Sequence, residues 1–556
     1  MILKKIFINK SKILLCLVFL LLIHKITFAK EYSYNNKSYL GSLLAGQIAK
    51  YNNDNIIASD FYSFANKKDP ENIKILNMSL MSFILSGKVD FALEKLSNNF
   101  YENKTTSQIS QLLNFVSLIK KSKYKEAKVL IEKNEDILLS GKLKYIMMAW
   151  LSENYNEAIK YIDEYPYKSP ELNLSDLYFH HLAYLNNFFN NEKNALKVFE
   201  EILVNGQASK VRGFYFYYNF INKLNYSDNK IIKNFTLNNP DHSLNIYLNK
   251  NIFKGFSLEN RADGISEIFF NIAENLYSQG MHDSSIAYSY LSLFLNENNF
   301  INYYLIAQNF QILGKTSKAI EVLKNIPLEN YLGWNTYIEI IDLYMGDRDY
   351  KNAEIYIKKL QKFDADRVDF FYKSGELYHN KTEYKNAINA FNSAISLLKN
   401  PKKKDWYLYY SRGMAYERSK KWNKAEKDLL YALELFPNQP LVLNYLGYSW
   451  IDLTINLKEA ENLIKKAVKL RPNDGYFVDS LGWAYYRKGD YKVAVENLEK
   501  AVLLVPSDPI INDHLGDALW KAGYKNEAIF QWNRVLLYSP EENLKNTIKL
   551  KLQKGL

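Results

Sequence analysis

The chain has 556 residues, an apolar fraction of 47%, a charged fraction of 24% and a formal net charge of +12. Such a length accommodates several domains or one long repeat array, and the scarcity of glycine (21) and proline (12) favours helices over a turn-rich β fold. Cys16 is the single cysteine, which excludes an intrachain disulfide and a zinc site built from several thiolates.

The N-terminal segment 1–29 has the three parts of a secretory signal peptide. Four lysines precede an apolar run at 13–23, and Thr27 and Ala29 occupy the small-residue positions of a cleavage site. We expect cleavage after Ala29. An uncleaved anchor is the alternative, although a membrane-spanning helix needs about 20 apolar residues. The expected location is the periplasm of a Gram-negative bacterium, with outer-membrane association left open and no transmembrane span in the mature chain.

Removal of this signal peptide also changes the charge balance. It takes away five lysines and no acidic residue, so the net charge falls to +7. This charge is mild for so long a chain and does not indicate nucleic acid binding. We therefore expect no nucleic acid partner.

Residues 30–225 are predicted to form a degenerate helical array. Gly46, Ala58 and Pro70 introduce it, and alanines continue at 92, 127, 158 and 195, at intervals of 31–37 residues. Residues 226–262 carry no such landmarks and are rich in asparagine. We expect an irregular joint or a distorted repeat there, with two lobes meeting at it.

Residues 263–540 are predicted to form a more regular array. Gly482, Ala494, Ala501 and Pro506 are separated by 12, 7 and 5 residues, and the same steps recur from the glycine at 413. Residues 541–556 are predicted to be a charged capping helix, because a terminal repeat needs a solvated outer face. The glycines of successive repeats lie 34–38 residues apart: Gly375, Gly413, Gly447, Gly482 and Gly516.

An interval of about 34 residues fits two helices of about 14 residues joined by short turns. A small residue at the crossing lets antiparallel helices approach closely, so we expect Gly482 to touch Ala494 and Ala501 to contact the next hairpin. Prolines 506 and 540 should end second helices. The glycines of KGDY (488–491) and KAGY (521–524) should take a positive φ in the turns. These features predict an all-α solenoid of tandem helix-turn-helix repeats.

The sequence resembles the tetratricopeptide repeat (TPR) family. The signal peptide, the stretches DSLGWAYYRKGDY and INDHLGDALWKAG, and the terminal KLQKGL are similar to exported TPR proteins of alphaproteobacteria. The resemblance implies a right-handed superhelical α-solenoid that binds other proteins without catalysis or a cofactor. The family's landmark positions are occupied here by Leu481, Gly482, Tyr485, Ala494, Leu498, Ala501 and Pro506.

The resemblance also implies which side chains line an inner groove, since positions 2, 5, 9, 12 and 13 of each first helix tend to face it. Aromatic rings interleaved with Arg, Asp and Asn can hold an extended peptide or a helix. The alternative is that the rings pack between hairpins and the charges are solvated. The family's Lys, Arg and Asn pattern for gripping a terminal carboxylate is missing. The predicted groove residues are Tyr407, Tyr410, Arg418, Asn444, Tyr448, Asp479, Trp483, Tyr486, Arg487, Asp513, Asp517, Trp520 and Lys521.

Three further polar features are given simple interpretations. The run Lys402–Lys404 is expected to be a solvated loop, because three lysines fall short of the 4–8 that lipid recognition usually needs. His180 and His181 are neighbours on a predicted helix and point about 100° apart, so they cannot easily share a metal. These two and His514 are expected to be exposed.

No HExxH, GxxxxGK[ST], GxGxxG or GxSxG motif occurs in a suitable setting, so we expect no enzyme, metal or cofactor. The leading hypothesis is an interaction scaffold of the cell envelope that binds partner proteins in its groove. One alternative is a subunit of envelope-biogenesis or polymer-processing machinery with an unrecognised catalytic site near Asp241, His242, Glu259 and Asp263. Another is a purely structural spacer.

Overall fold

The structure, a computed structural model, describes residues 38–100, 107–133, 143–165, 174–205, 210–224, 230–239, 242–250 and 258–556. The predicted signal peptide and Asp241 lie outside these ranges. Within them, all regular structure is helical, as α-helices and one 3₁₀ turn at Lys403–Asp405, with no strand. The all-α prediction is confirmed. No helix in the described ranges is both long enough and apolar enough to cross a membrane.

The chain divides into two compact units, of which the first holds residues up to 240 together with 247–336. Most of its helices form antiparallel hairpins in tandem. In chain order they are α1 Tyr39–Tyr51, α2 Asn55–Lys68, α3 Ile73–Leu85, α4 Val89–Phe100, α5 Gln108–Lys120, α6 Tyr124–Lys133, α7 Leu143–Leu151, α8 Tyr155–Asp163, α9 Leu174–Phe188, α10 Glu192–Asn205, α11 Lys210–Lys223, α12 Lys230–Asn238, the short α13 Leu244–Asn249, which begins in the second unit, α14 Arg261–Ser278, α15 His282–Leu295, α16 Ile301–Ile312 and α17 Thr316–Leu323.

The second unit holds residues 241–246 and 337–556 and continues the tandem hairpins. Its helices are α18 Gly333–Gly346, which begins in the first unit, α19 Tyr350–Phe363, α20 Val368–Asn380, α21 Tyr384–Ser396, α22 Trp406–Arg418, α23 Trp422–Leu435, α24 Pro440–Asp452, α25 Leu457–Leu470, α26 Gly475–Lys488, α27 Tyr491–Leu504, α28 Pro509–Ala522, α29 Lys525–Leu537 and α30 Glu542–Lys554. The fold is therefore an all-α solenoid of helical repeats.

The predicted joint at 226–262 and the observed boundary between the units do not coincide. The main boundary lies between residues 336 and 337, inside α18, and only residues 241–246 of the predicted joint belong to the second unit. The described part of 226–262 contains α12 and α13. The weak repeats at 263–336, which the sequence-based prediction groups with the C-terminal array, belong to the first unit.

A residue in the left-handed region marks the turn inside most hairpins. Gly489 has φ +90° and Gly523 has φ +97°, which confirms the prediction for KGDY and KAGY. Consecutive residues of this kind mostly lie one repeat length apart in the sequence. The regular spacing of repeats therefore extends back to the first hairpin. The turn residues with positive φ are Asn53, Gly87, Ser122, Asn190, Gly280, Gly314, Arg348, Thr382, Lys420, Thr454, Gly489 and Gly523.

The glycine at each helix crossing makes room for one large side chain of the partner helix. A Cβ placed on Gly482 would lie 2.5 Å from Leu498 Cγ, and one on Gly516 would lie 2.4 Å from Trp532 Nε1. The predicted partner of Gly482 is Ala494, but the nearest atoms belong to Leu498, one turn further along α27. The reason is geometric: the leucine side chain reaches back along its helix and fills the space above the glycine.

The prolines act at both ends of the loops between repeats. The second helices α27 and α29 end at Leu504 and Leu537, just before Pro506 and Pro540 as predicted. Pro440 and Pro509 stand at the first position of α24 and α28, where a missing N–H breaks no helical hydrogen bond. Each such loop is thereby fixed on both sides.

The first unit does not leave the side formed by its first helices open. The hairpin α14–α15 packs back onto that side, with α14 against α5, α7 and α9, and α15 against α3, α4 and α5. At the closest approach, a Cβ on Gly264 would lie 2.1 Å from the Trp150 ring. Phe269 meets Phe115 at a ring distance of 6.4 Å. The inner side of this array is thus occupied by its own chain.

Polar contacts fix the same hairpin in place. The Arg261 guanidinium donates to the Ser152 carbonyl oxygen at 2.8 Å and lies over the rings of Tyr124 and Phe188. Lys120 Nζ donates to the Phe294 carbonyl oxygen at 2.7 Å. Because backbone carbonyls accept these bonds, the contacts fix the position of α14–α15 and not only its side-chain packing.

Replacing Gly264 with alanine is expected to destabilise the first unit by about 1–3 kcal/mol, since a Cβ at that position must displace the fully buried Trp150. Denaturant unfolding followed by tryptophan fluorescence measures the change. Gly346→Ala is the matched control, because nothing lies within 4 Å of its added Cβ. Equal stabilities of the two variants would contradict the described packing.

Candidate functional site

The predicted groove residues all lie on four consecutive first helices of the second unit. They occupy positions 2, 5, 9, 12 or 13 of α22, α24, α26 and α28. We call these thirteen residues the groove stripe. Most are half-buried or exposed, whereas three aspartates in it are buried: Asp479, Asp513 and Asp517.

The first part of the groove stripe contains two pairs of tyrosines in ring contact. Tyr407 meets Tyr372 of α20 edge to face, at a ring distance of 4.6 Å. Tyr410 meets Tyr445 at 5.7 Å, and the Tyr445 hydroxyl donates to Glu417 Oε2 at 3.0 Å. Tyr372 and Tyr445 are not among the groove residues predicted from the sequence. They could have been found from the helical spacing, which places them beside predicted positions of the neighbouring helix.

The centre of the groove stripe gathers charges around one tyrosine. Burial raises the pKa of Tyr448 to about 12, with Asp479 and Asp452 acting in the same direction and Arg487 and Arg418 opposing it. These four charged residues come from α22, α24 and α26. Three successive repeats therefore surround a single phenol.

Two arginines flank Tyr448, and they differ in how strongly other side chains hold them. Arg487 donates to Thr454 Oγ1 at 2.6 Å and lies 3.6 Å from the Asp452 carboxylate. Arg418 lies 3.5 Å from Glu417, and 59% of its side chain is exposed. Lys521, at the far end, is exposed as well. Cationic groups are thus available along the rim.

The next part of the groove stripe is an aromatic stack. Trp483 stacks on Tyr486 at 4.6 Å and on His514 at 4.1 Å, with interplanar angles of 12° and 17°. His514 Nδ1 lies 2.9 Å from Asp479 Oδ1. The prediction of an exposed His514 is wrong, since the residue is only 8% exposed. Its ion-pair partner, one repeat earlier in the chain, explains the burial.

Another of the three histidines predicted to be exposed is also buried. His181 has no exposed surface, and its Nδ1 accepts a hydrogen bond from Trp150 Nε1 at 3.0 Å. His181 Nε2 lies 3.2 Å from Asn271 Oδ1 of α14. The side chain therefore links α7, α9 and α14, and no local pattern in the sequence indicates this long-range partner.

The capping helix α30 occupies the last part of the groove stripe. Lys551 Nζ lies 2.6 Å from Asp513 Oδ1 and 2.7 Å from Asp517 Oδ1, and Trp532 Nε1 donates to the same oxygen of Asp517 at 3.0 Å. Burial and the neighbouring Asp513 raise the pKa of Asp517 to about 6 despite the lysine. Asp513 and Asp517 are thus engaged by the chain itself.

The described residues contain no group of three His, Cys, Asp or Glu side chains able to hold a metal ion. Near the predicted joint, Asp263 Oδ2 accepts the backbone N–H groups of Glu259 and Asn260 at 2.8 and 3.1 Å, and Asn296 donates to its other oxygen. This carboxylate caps the start of α14. Its hydrogen bonds give it a structural role in the helix cap.

Tandem helix hairpins that present polar and aromatic side chains along their first helices define a solenoid protein of the interaction-scaffold type. Two family models match, "TPR repeat" over residues 482–523 and "Tetratricopeptide repeat" over residues 368–400. The repeats in these two segments are therefore tetratricopeptide repeats.

Curated relatives share short segments with the chain. A TPR repeat-containing protein of Pseudomonas aeruginosa, PA4667, is 41% identical over 85 residues, 15% of this chain and 14% of the relative. Human tetratricopeptide repeat protein 13 is 32% identical over 146 residues, 25% of this chain and 16% of the relative. The chain thus spans less than a fifth of the length of these two relatives.

Solved structures of helical-repeat proteins align along much of the chain. The Cut9–Hcn1 hetero-tetramer of APC/C has a TM-score of 0.39 at 16% identity and covers 94% of this chain and 97% of that one. A tetratricopeptide repeat protein of Parabacteroides merdae has a TM-score of 0.36 at 17% identity and covers 46% of this chain and 97% of that one.

The His514–Asp479 pair is expected to make the C-terminal repeats more stable at low pH. Burial acts to lower the pKa of His514, but Asp479, Asp513 and Asp517 outweigh it and hold the pKa above its usual 6.5. A raised folded pKa means that the stabilisation is full below about pH 6.5 and is lost as pH rises through the folded value.

Amide hydrogen exchange over residues 475–522 measures this effect when the protein and its His514→Gln variant are compared at each pH. The protection lost in the variant should be largest near pH 5 and should shrink toward pH 8, roughly the range over which histidine titrates. If the variant loses the same amount of protection at pH 5 and at pH 8, charge on His514 does not stabilise the repeats.

Proposed function

We propose that this chain is a non-catalytic scaffold of the bacterial cell envelope that binds partner proteins along the groove stripe of its second unit. The observation that carries the proposal is the row of aromatic rings from Tyr407 to Tyr486, bordered by Arg418 and Arg487. Such rings provide contact area with little loss of rotamer freedom, and the polar neighbours fix the register of a bound chain.

The two units support this assignment in different ways. Four consecutive first helices of the first unit, α3, α5, α7 and α9, are covered by α14–α15. Those of the second unit keep half-buried rings on α22, α24 and α26. A partner that needs an accessible row of first helices is therefore assigned to the second unit.

Two unpaired polar atoms favour a bound partner further. Asn444 Oδ1 and Trp483 Nε1 are buried and have no hydrogen-bond partner within the part of the chain that the structure describes. An unsatisfied buried polar group costs about 1–3 kcal/mol. A partner whose backbone pairs with them after a small side-chain rotation gains that free energy.

The proposed location rests on the N-terminal sequence. The predicted signal peptide at 1–29 supports export, and residues 38–556 contain no cysteine, so no disulfide is needed there. We place the scaffold in the periplasm, where it would hold protein partners in that compartment or at the inner face of the outer membrane.

Photocrosslinking in intact cells tests the groove. A photoreactive phenylalanine analogue replaces Tyr448 in the groove stripe or, as control, Phe530, which is 61% exposed on the second helix α29. We expect a discrete crosslinked partner from position 448 and none from position 530. Identical adducts from both positions, or none from either, would refute groove recognition.

Truncation of the groove aromatics should weaken the captured complex. Tyr448→Ala combined with Trp483→Ala is expected to raise the partner Kd at least thirtyfold, since an aromatic hot spot is worth about 2 kcal/mol or more. Phe530→Ala is the matched control and should leave Kd unchanged. Circular dichroism confirms that both variants fold. Unchanged binding by the double variant would favour the structural-spacer alternative.

A further inference from the structure

A second surface of the second unit lies along the loops that join one repeat to the next. Lys399 and Lys402–Lys404 belong to the loop before α22. From the sequence, the run Lys402–Lys404 is expected to be a solvated loop. In the structure, Lys403 Nζ lies 4.1 Å from the centroid of the Phe436 ring in the following loop. Lys466 Nζ donates to the Pro437 carbonyl oxygen of that same loop at 3.2 Å. The loop at Phe436 and Pro437 therefore contacts both Lys403 and Lys466, which lie more than sixty positions apart in the sequence.

These contacts bring two basic segments to one edge of the unit. Lys466 is joined by Lys469 and Arg471 at the end of α25. Acidic side chains there are few: Asp405 is buried and accepts from the Lys402 N–H at 2.7 Å, Asp474 caps α26, Asp508 caps α28 beside Tyr476, and Glu434 is exposed at the end of α23. We call the following seven exposed cations the basic edge: Lys399, Lys402, Lys403, Lys404, Lys466, Lys469 and Arg471.

Exposed apolar side chains accompany the basic edge. Leu470, between two of its cations, is 45% exposed, and Tyr476 at the start of α26 is 57% exposed. Leu503, at the end of α27 before the next loop, is 81% exposed. Gly475 lies against Val505 and Leu504, which brings the start of α26 beside that loop. Exposed apolar groups thus lie beside the cations of the second segment and in the loop that follows it.

We propose that the basic edge docks the second unit on an anionic lipid surface. The seven cations match phosphate headgroups, and clusters of about 4–8 lysines and arginines are typical of such contacts. Leucine and tyrosine side chains beside them favour a bilayer over nucleic acid or an acidic protein, because a bilayer interface accepts both apolar chains and amphipathic rings. This docking does not depend on the groove stripe, which lies on different residues.

Vesicle co-sedimentation tests the proposal with the chain lacking residues 1–29, so that the apolar run at 13–23 cannot insert. Vesicles of phosphatidylethanolamine with about 30% phosphatidylglycerol provide the anionic surface, and phosphatidylcholine vesicles are the neutral comparison. We expect binding to the anionic vesicles that weakens with added salt, and little binding to the neutral ones.

Matched variants locate the contact. Changing Lys402, Lys403 and Lys404 to Gln should weaken binding to anionic vesicles about a hundredfold, at roughly fivefold for each cation near the surface. The control changes Lys420, Lys421 and Lys424 to Gln; these lie at the hairpin turn, at the opposite end of the helices, and alter the net charge equally. The control should bind like the unchanged protein.

Leu503→Ser separates a bilayer from other polyanions. We expect it to weaken binding to anionic vesicles while leaving the slope of binding against salt unchanged. Equal loss in the two lysine triples, or equal binding to neutral vesicles, would overturn the proposal. So would heparin binding as tight as vesicle binding together with no effect of Leu503→Ser, since that result describes a general polyanion surface.

Discussion

Two antiparallel helices approach most closely where one of them has a very small side chain or none at the crossing, and the regular hairpins of the second unit are built on this constraint. At Gly375, Gly447 and Gly516 the open position is filled by Phe391, Ile464 and Trp532 of the partner helix. The glycine therefore does more than remove a clash, because it creates the space that a buried ring or branched chain fills. The spacing of hairpins, and with it the alignment of the groove stripe, depends on this fit.

Much of the second unit could be predicted from sequence because its determinants are local. A glycine with positive φ, a proline after a second helix and a small residue at a crossing each act within a single repeat, so Gly489, Pro506 and Gly482 indicate their structural roles directly. The side chain nearest to the open position at Gly482 belongs to Leu498, and choosing it in advance requires the direction of a side chain, whereas the predicted contact with Ala494 stays a prediction. The predicted groove residues are on first helices, but whether they bind a partner stays a prediction.

The features that could not be predicted from the sequence depend on contacts between residues that are far apart in the chain. The sequence predicts an exposed His514 because Asp479 lies a full repeat away, and nothing near Lys551 indicates that it neutralises two aspartates of α28. The basic edge is equally hidden, because Lys403 and Lys466 contact the same loop, between α23 and α24, only once the two hairpins that flank it have packed together. Burial of His181 and the closure of the first unit by α14–α15 are of the same kind.

The two units of this chain should differ in how they fold, although both are made of hairpins. In the second unit each repeat mainly contacts its neighbours, so folding can begin at several places and spread along the array. In the first unit, hydrogen bonds connect residues 109 and 174 positions apart, and these contacts form only after long loops close. The hairpin α14–α15 thus makes the first unit fold as one cooperative unit and not repeat by repeat. During synthesis, the N-terminal helices of this unit can complete their packing only after α14 and α15 have been made.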